Sequence, residues 1–400
     1  MKLDIMQKYE RGLLKTRRKC FGSLVCIYSI GSEIAKILIS LVRIRYMKNS
    51  IVKKERDRRM RMKRVLATGL VGIMSVAALG GCGSKDSKDA SKSDSVKMPS
   101  DPYEIVELAS ERTTALDSYE MNGSFNFAMD AMGSAVEAKA DFSAIYFKDP
   151  MQMKMDVDVA ATSDGETEDV NVELYFMNEE DTYVIYAGLE EDGAYTWTKT
   201  SLDPEDESQK QVIEALDSLG SGSSEEASME AYKDCFSLDK DNDTDDATAI
   251  LFTLTAQEML EAYNQSADVL KDAGMSTADL ESSLSAYGLT TDSLFSGMGD
   301  ITANMTVDKD QVYLKSMSMD LATPIQNVVD VVIDGMMELY GEYMEDTSSL
   351  DIKVSACDFT LNYDKYNEAT KFEIPEEAKN AEEVSTDEVL GENEIAVEAE

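Results

Sequence analysis

Met151-Gln152-Met153-Lys154-Met155-Asp156-Val157-Asp158-Val159 alternates apolar and polar side chains at every step. A period of two belongs to a strand with one face buried and the other wet. The neighbouring stretches repeat it. Upstream, Tyr119, Met121, Phe125, Phe127 and Met129 alternate with Glu120, Asn122, Ser124 and Asn126, and Val136, Ala138, Ala140, Phe142 and Tyr146 lead to a turn at Lys148-Asp149-Pro150. Downstream come Val170, Val172, Leu174 and Phe176, a turn at Asn178–Asp181, then Thr182–Ala187 and Tyr195–Thr198. Strands joined by short turns predict an antiparallel meander.

Helical signals flank and interrupt it. Asp101-Pro102 predicts an N-cap with proline at the first helical position, and Ile105, Val106, Leu108, Ala109 and Leu116 mark one face. Asp203-Pro204 opens a short helix through Leu219, Gly220–Ser224 reads as a loop, and a helix fits about Glu225–Asp234. A strand at Thr248–Leu254 runs into Thr255-Ala256-Gln257-Glu258, a capping box for a helix to Gly274, and Ser276–Asp279 caps another through Leu284 and Tyr287. Strands return with Ile301–Val307, a turn at Asp308-Lys309-Asp310, Val312–Leu321 and Leu350–Tyr363. Between the last two lies Pro324–Glu345, whose polar positions form a narrow stripe, so burial on most sides is expected.

The N-terminal portion reads differently. Two basic residues, Lys63 and Arg64, precede an apolar run from Val65 to Leu79 and then Gly80-Gly81-Cys82. These are the three parts of a signal peptide over residues 60–81, and Leu-Gly-Gly-Cys looks like a bacterial lipobox. Cys82 is then acylated (diacylglycerol, with palmitate-type chains) and heads the mature protein. The expected location is the outer face of the cytoplasmic membrane of a Gram-positive cell. Residues 83–100 are small and polar, a flexible tether. Residues 1–59 are basic, and their apolar stretch is broken by Glu33 and Lys36. A signal peptide works from the chain's start, so translation is expected to begin at Met60 or Met62. Residues 379–400 read as an acidic, disordered tail.

The 400 residues hold 38 Lys and Arg against 78 Asp and Glu. Residues 1–81 take 19 of the basic and 5 of the acidic ones, so the remainder carries 19 against 73, a net of −54. Such a surface repels nucleic acid and anionic lipid heads, and it also serves plain solubility. Histidine is absent, which removes Ser-His-Asp and Cys-His catalysis and His-ligated metals. No cofactor is implied. Beyond Cys82 only Cys235 and Cys357 remain. A disulfide between them would contribute roughly 3–5 kcal/mol in the chain-entropy model, and two separate buried thiols fit the sequence equally.

Asp239–Asp246 resembles the start of a calcium loop, but the sixth and twelfth positions are Thr244 and Ile250 where glycine and glutamate are needed. A solvated acidic turn is the simpler reading, and no metal site is expected. Eighteen methionines follow Cys82, suited either to core filling or to lining an adaptable cavity.

The order of elements suggests an α+β fold, one curved antiparallel sheet with helices in its concavity. Phe359–Tyr363, the turn Tyr366-Asn367-Glu368 and the finish Ile374-Pro375-Glu376-Glu377-Ala378 resemble the C-terminus of cell-envelope lipoproteins related to the LolA, LppX and LprG lipid carriers. The Asp101–Ser118 helix running into a Tyr-led strand is similar to that family's opening. The resemblance spans residues 101–378, departing from it in a helical insert at 203–297 and in acidity. It implies an unclosed half-barrel whose cavity holds acyl chains, without catalytic residues. The expectation is a monomeric, membrane-anchored protein that binds a lipid or other apolar ligand. Phe125, Phe127, Met153, Met155, Met317, Met319, Val332, Met336 and Tyr340 are the cavity candidates. The alternative is a structural or partner-binding envelope module with a dry core.

Mass spectrometry of the native precursor tests the expected start: peptides should begin at Met60 or Met62, and any peptide from residues 20–45 would overturn it.

Overall fold

The computed structural model describes residues 96–131, 133–163, 165–179, 182–191, 193–203, 230–272, 284–285, 288–340 and 351–384. The expected signal segment, Cys82, most of the expected tether, the helix expected from Pro204, the loop expected at 220–224, nearly all of the helix expected from Ser276, and the residues beyond 384 lie outside the described residues.

Among these residues are strands β1 (Ser118–Ala131), β2 (Ser134–Phe147), β3 (Gln152–Ser163), β4 (Glu166–Glu179), β5 (Thr182–Glu191), β6 (Ala194–Leu202), β7 (Phe236–Leu238), β8 (Ala247–Leu254), β9 (Ile301–Asp308), β10 (Leu314–Asp320), β11 (Ile352–Asp364) and β12 (Glu382–Glu383). The helices are α1 (Pro102–Thr114), α2 (Ala256–Asp272), α3 (Thr291–Met298), α4 (Ala322–Tyr340) and α5 (Glu376–Lys379). The strands form one curved, unclosed sheet in the order β12-β6-β5-β4-β3-β2-β1-β11-β10-β9-β8-β7. Only the short β12–β6 pair is parallel.

The expected meander is thus β1 to β6. Within 203–297, read from sequence as a mainly helical insert, the expected strand at Thr248–Leu254 forms as β8, and β7, which was not expected, pairs with it, so that both extend the same sheet. A 3-10 turn at Glu230–Cys235 leads into β7 where sequence suggested helix. The two halves of the sheet join where β1 pairs with β11, from Glu120 opposite Asp364 to Ala131 opposite Ile352. Along β11 the inward side chains are Tyr363, Leu361, Phe359 and Cys357, then Val354. Strict alternation would turn Val354 outward. Ser355 is the extra residue of a bulge that lies opposite Ala128/Met129 and restores the phase.

Gly123 lies in the middle of β1, and a Cβ there would sit 2.4 Å from both the Phe142 ring and the Thr360 carbonyl. Its absence lets the Phe142 ring cross β1 and stack on Phe359 at 6.3 Å.

Helix α1 is capped as the sequence dictates. The Asp101 carboxylate accepts from the amides of Tyr103 and Glu104 at 3.0 and 3.1 Å. Ile105, Val106 and Ala109 enter the main core with Tyr119, Met121, Tyr146, Met153 and Met155. Helix α4 packs Ile325 and Val329 on Met129, Val354 and Cys357, farther along the same face of β1 and β11. The polar stripe of Asp330, Asp334 and Glu338 is exposed as expected, but the apolar remainder of α4 is closed only in part: Ile325, Val328 and Val329 are buried, while Leu339 is 45% exposed. A single stripe is enough to hold a helix against a sheet, and Val331, Val332, Ile333, Met336 and Met337 are half-buried. Helix α3 crosses α4 closely at Gly297, where a Cβ would meet Val331 at 2.2 Å. The Asn327 amide donates to the Met298 carbonyl at the end of α3.

The predicted strand from Val312 starts later, at Leu314. The Asp308 carboxylate accepts from the amides of Asp310 and Gln311, and the turn carries Val312 to φ 53° with its side chain fully buried.

After β11 the chain crosses to the opposite face. Asn367, at φ 57°, accepts from the Asp117 amide and donates its own amide to the Ser118 carbonyl. The Tyr366 hydroxyl donates to the Leu314 carbonyl. Phe372, Ile374 and Ala378 then cover Tyr175, Val184 and Tyr186 before β12 joins the β6 edge. Phe372–Ala378 is therefore a strap across the back of the sheet, and Tyr366-Asn367-Glu368 is the turn that leads into it.

Gly123→Ala should lower stability by about 1–3 kcal/mol through overpacking against backbone, read as a shifted urea midpoint. An unchanged midpoint would mean that β1 and β2 part without cost.

Candidate functional site

The register places front-face side chains in rows. Tyr119, Tyr146, Met153, Phe176 and Ile185 form the first row, and Met121, Ala144, Met155 and Leu174 the next. All are buried, most of them in the core beneath α1. Toward the hairpin tips the rows change. Phe125, Ala140, Val159 and Val170 form one row, and Phe127, Ala138, Ala161 and Glu168 the next. Of these, Phe125, Val159, Val170, Phe127, Ala138 and Ala161 are only half-buried, and Glu168 is exposed. An apolar strip thus continues out of the closed core, ending at the acidic rim of Glu166 and Glu168. Phe125 touches both the α1-covered core and the α4-covered cluster.

The nine residues expected to line a cavity separate into groups. Met153, Met155 and Met317, at 1%, 1% and 5% exposure, are closed core. Flexible, polarisable methionine fills that space as it would fill a cavity, so sequence alone could not tell the two apart. Phe125 and Phe127 lie on the strip. Met319 is half-buried on β10 opposite Phe359. Val332 and Met336 are half-buried and continue, at helical spacing, the stripe of Ile325 and Val329. The side chain of Tyr340 lies outside the described residues. Sequence reasoning did not single out Ala138, Val159, Ala161 and Val170. Their alternation was legible, but a partly covered row reads the same as a covered one.

Cys235 and Cys357 are free and buried in separate clusters. The two-thiol reading therefore holds and the disulfide does not form. Burial, with Glu258 next, pushes the Cys235 thiol up to about 12. Burial and the nearby Asp358 and Asp320 do the same to Cys357. Both stay protonated and poorly nucleophilic. Cys235 donates to Glu258 at 3.4 Å, while Glu258 closes the expected capping box with Thr255 at 2.8 Å.

The acidic turn between β7 and β8 is used structurally. Asp239 accepts from the Asp241 amide and from Asn242. Lys309 bridges Asp243 at 2.9 Å and also donates to the Thr244 carbonyl, and Lys315 bridges Asp246 at 2.8 Å. The lysines pin the β7–β8 turn to the β9–β10 hairpin. Lys315 holds the Asp246 carboxyl down at about 2. Among the described residues no group of three or more His, Cys, Asp and Glu is placed to hold a metal ion, and no helix is long and apolar enough to cross a membrane.

Residues 101–287 match the model of a family of unknown function, DUF6612. That is under half of the 400 residues. The similarity takes in α1, β1 to β8 and α2, and stops short of β9 to β11, which complete the same sheet. No curated protein matches the chain.

Asp246 gives a pH test. Its folded pKa lies below its unfolded value, so the Lys315 pairing stabilises fully above about pH 4 and is lost as pH falls through about 2. In Lys315→Met the Asp246 carboxyl should titrate higher than in the parent but still below its ordinary 3.8, because the Thr244 hydroxyl and the backbone amide still hold it down, and the stability gap to the parent should close below pH 4. Carboxyl NMR titration with urea unfolding checks both, and identical midpoints in parent and variant would refute the pairing.

Proposed function

We propose that this chain is a lipid-anchored envelope protein that binds an apolar or amphiphilic ligand, a lipid among the candidates, without chemistry. In this reading Cys82 carries the anchor, and α1 and α4 lie in the hollow of the curved sheet. The ligand occupies the space over the half-buried strip, beside the second half of α4. The strip carries the proposal: Phe125, Phe127, Val159, Ala161 and Val170 extend an apolar floor beyond the closed core. An acyl chain laid there gains about 0.8 kcal/mol per buried methylene. That term needs no catalytic group. The resemblance of the C-terminal stretch to envelope lipid carriers supports the same reading.

A second reading has its own observation. Met153, Met155 and Met317 are sealed, which favours a partner-binding module with a dry core whose working surface is elsewhere.

The full chain bearing Cys82→Ser lacks the anchor and separates bound from covalent lipid. Native mass spectrometry and solvent extraction should find a co-purifying amphiphile near one per chain. Ala161→Arg, placed on a half-exposed row, should cut that occupancy at least tenfold without unfolding the protein. Protein that is empty in native spectra and takes up no fluorescent fatty acid would refute the ligand and leave the second reading.

A further inference from the structure

The back face of β3 to β6 holds a second feature. Its side chains follow the register in two adjacent rows. Asp156, Glu173, Gly188 and Trp197 form one, and Asp158, Asn171, Glu190 and Tyr195 the other. Trp197 is the chain's single tryptophan. It lies over Gly188, where a Cβ would come within 2.8–2.9 Å of three carbons of the indole ring. Glycine therefore lets the indole lie down on the sheet with one face against backbone. Tyr195 sits beside it, centroids 5.6 Å apart and planes 32° apart, and is 42% exposed. Large aromatics on a wet sheet face are ordinarily covered, as Tyr175 and Tyr186 are by the C-terminal strap. Tyr195 is not.

The surroundings select the occupant. Asp158 is exposed, and Asp156, Glu173 and Glu190 are half-buried. The adjacent back-face row carries two cations, Lys154, bridging Asp156 and Glu173 at 3.0 Å each, and Lys199, 5.6 Å from the centre of the Tyr186 ring. Asn171 donates to Glu190 at 2.6 Å, which holds that carboxylate in place. Exposed ring faces attract cations, and the carboxylates repel anionic partners. From Asp158 to Tyr195 is three interstrand spacings, about 14 Å, the reach of four or five extended residues.

We propose that this platform docks a basic peptide segment of a partner protein, its arginine or lysine side chains stacking on Tyr195 and Trp197 and pairing with Asp158 and Glu190. The proposal deepens the second reading above and is independent of a front-face ligand.

Because Trp197 is unique, its emission reports on this site alone. The full chain, titrated with a ten-residue peptide of alternating arginine and serine, should show a saturable change in emission that weakens steeply with added salt. Tyr195→Ala should weaken binding about fivefold, and the double variant Asp158→Asn, Glu190→Gln at least tenfold, with lipid occupancy of the front face unchanged in both. A flat titration, or one that the double variant leaves unaltered, would overturn the proposal. So would a saturable response to a neutral hexose oligosaccharide with none to the peptide, which would make the platform a glycan site.

Discussion

The pairing of β1 with β11 is the contact on which the remainder of the fold depends. It brings residues 118–131 beside residues 352–364 and so joins two runs of strands into one sheet. Helices α1 and α4 both rest on it. Helix α1 packs over the end with Met121 and Leu361, and α4 over the end with Met129 and Val354. Two local devices make the seam fit. Gly123 admits the Phe142 ring, and the extra Ser355 keeps Val354 on the buried side. A contact of such sequence separation carries a large loop-closure cost, so the β1–β6 meander can form early while the seam waits for the C-terminal half.

The strap after β11 depends on the same seam. Asn367 and Tyr366 tie the end of β11 to the start of β1 and to β10. The chain is then aimed across the back face, where Phe372 and Ile374 cover Tyr175 and its neighbours. Ser124 bonds Thr360 across the seam at 2.8 Å, and Asn126 bonds Asp358 at 3.0 Å. These cross-strand polar pairs let the uncovered back face stay wet without loosening the sheet. The two faces therefore do different work: apolar burial on the front fixes the fold, and the polar back carries charge.

That charge shapes the whole molecule. With a net of −54 beyond residue 81, each lysine placed near carboxylates matters locally, as at Asp243, Asp246 and Glu173. Over distances beyond about 8–10 Å, salt screens the remainder. Under the proposed anchoring, such a domain would stand off from an anionic bilayer, and a lipid would have to reach the front face against that repulsion.

Much of this was written in local pattern. Alternation at Met151–Val159 and its neighbours gave the strands, and Asp101-Pro102 and Thr255–Glu258 gave helix starts, because each of these signals is complete within a few residues. Strand neighbours, the bulge at Ser355, the sheet membership of β7 and β8, the one-sided burial of α4 and the strap were settled only by tertiary structure. So was the division of the methionines between sealed core and half-covered strip. The physical reason is the same in each case. Period and caps show which way a side chain faces relative to its own backbone, but its partners are supplied by residues up to 250 positions away, and only packing decides whether the face is covered.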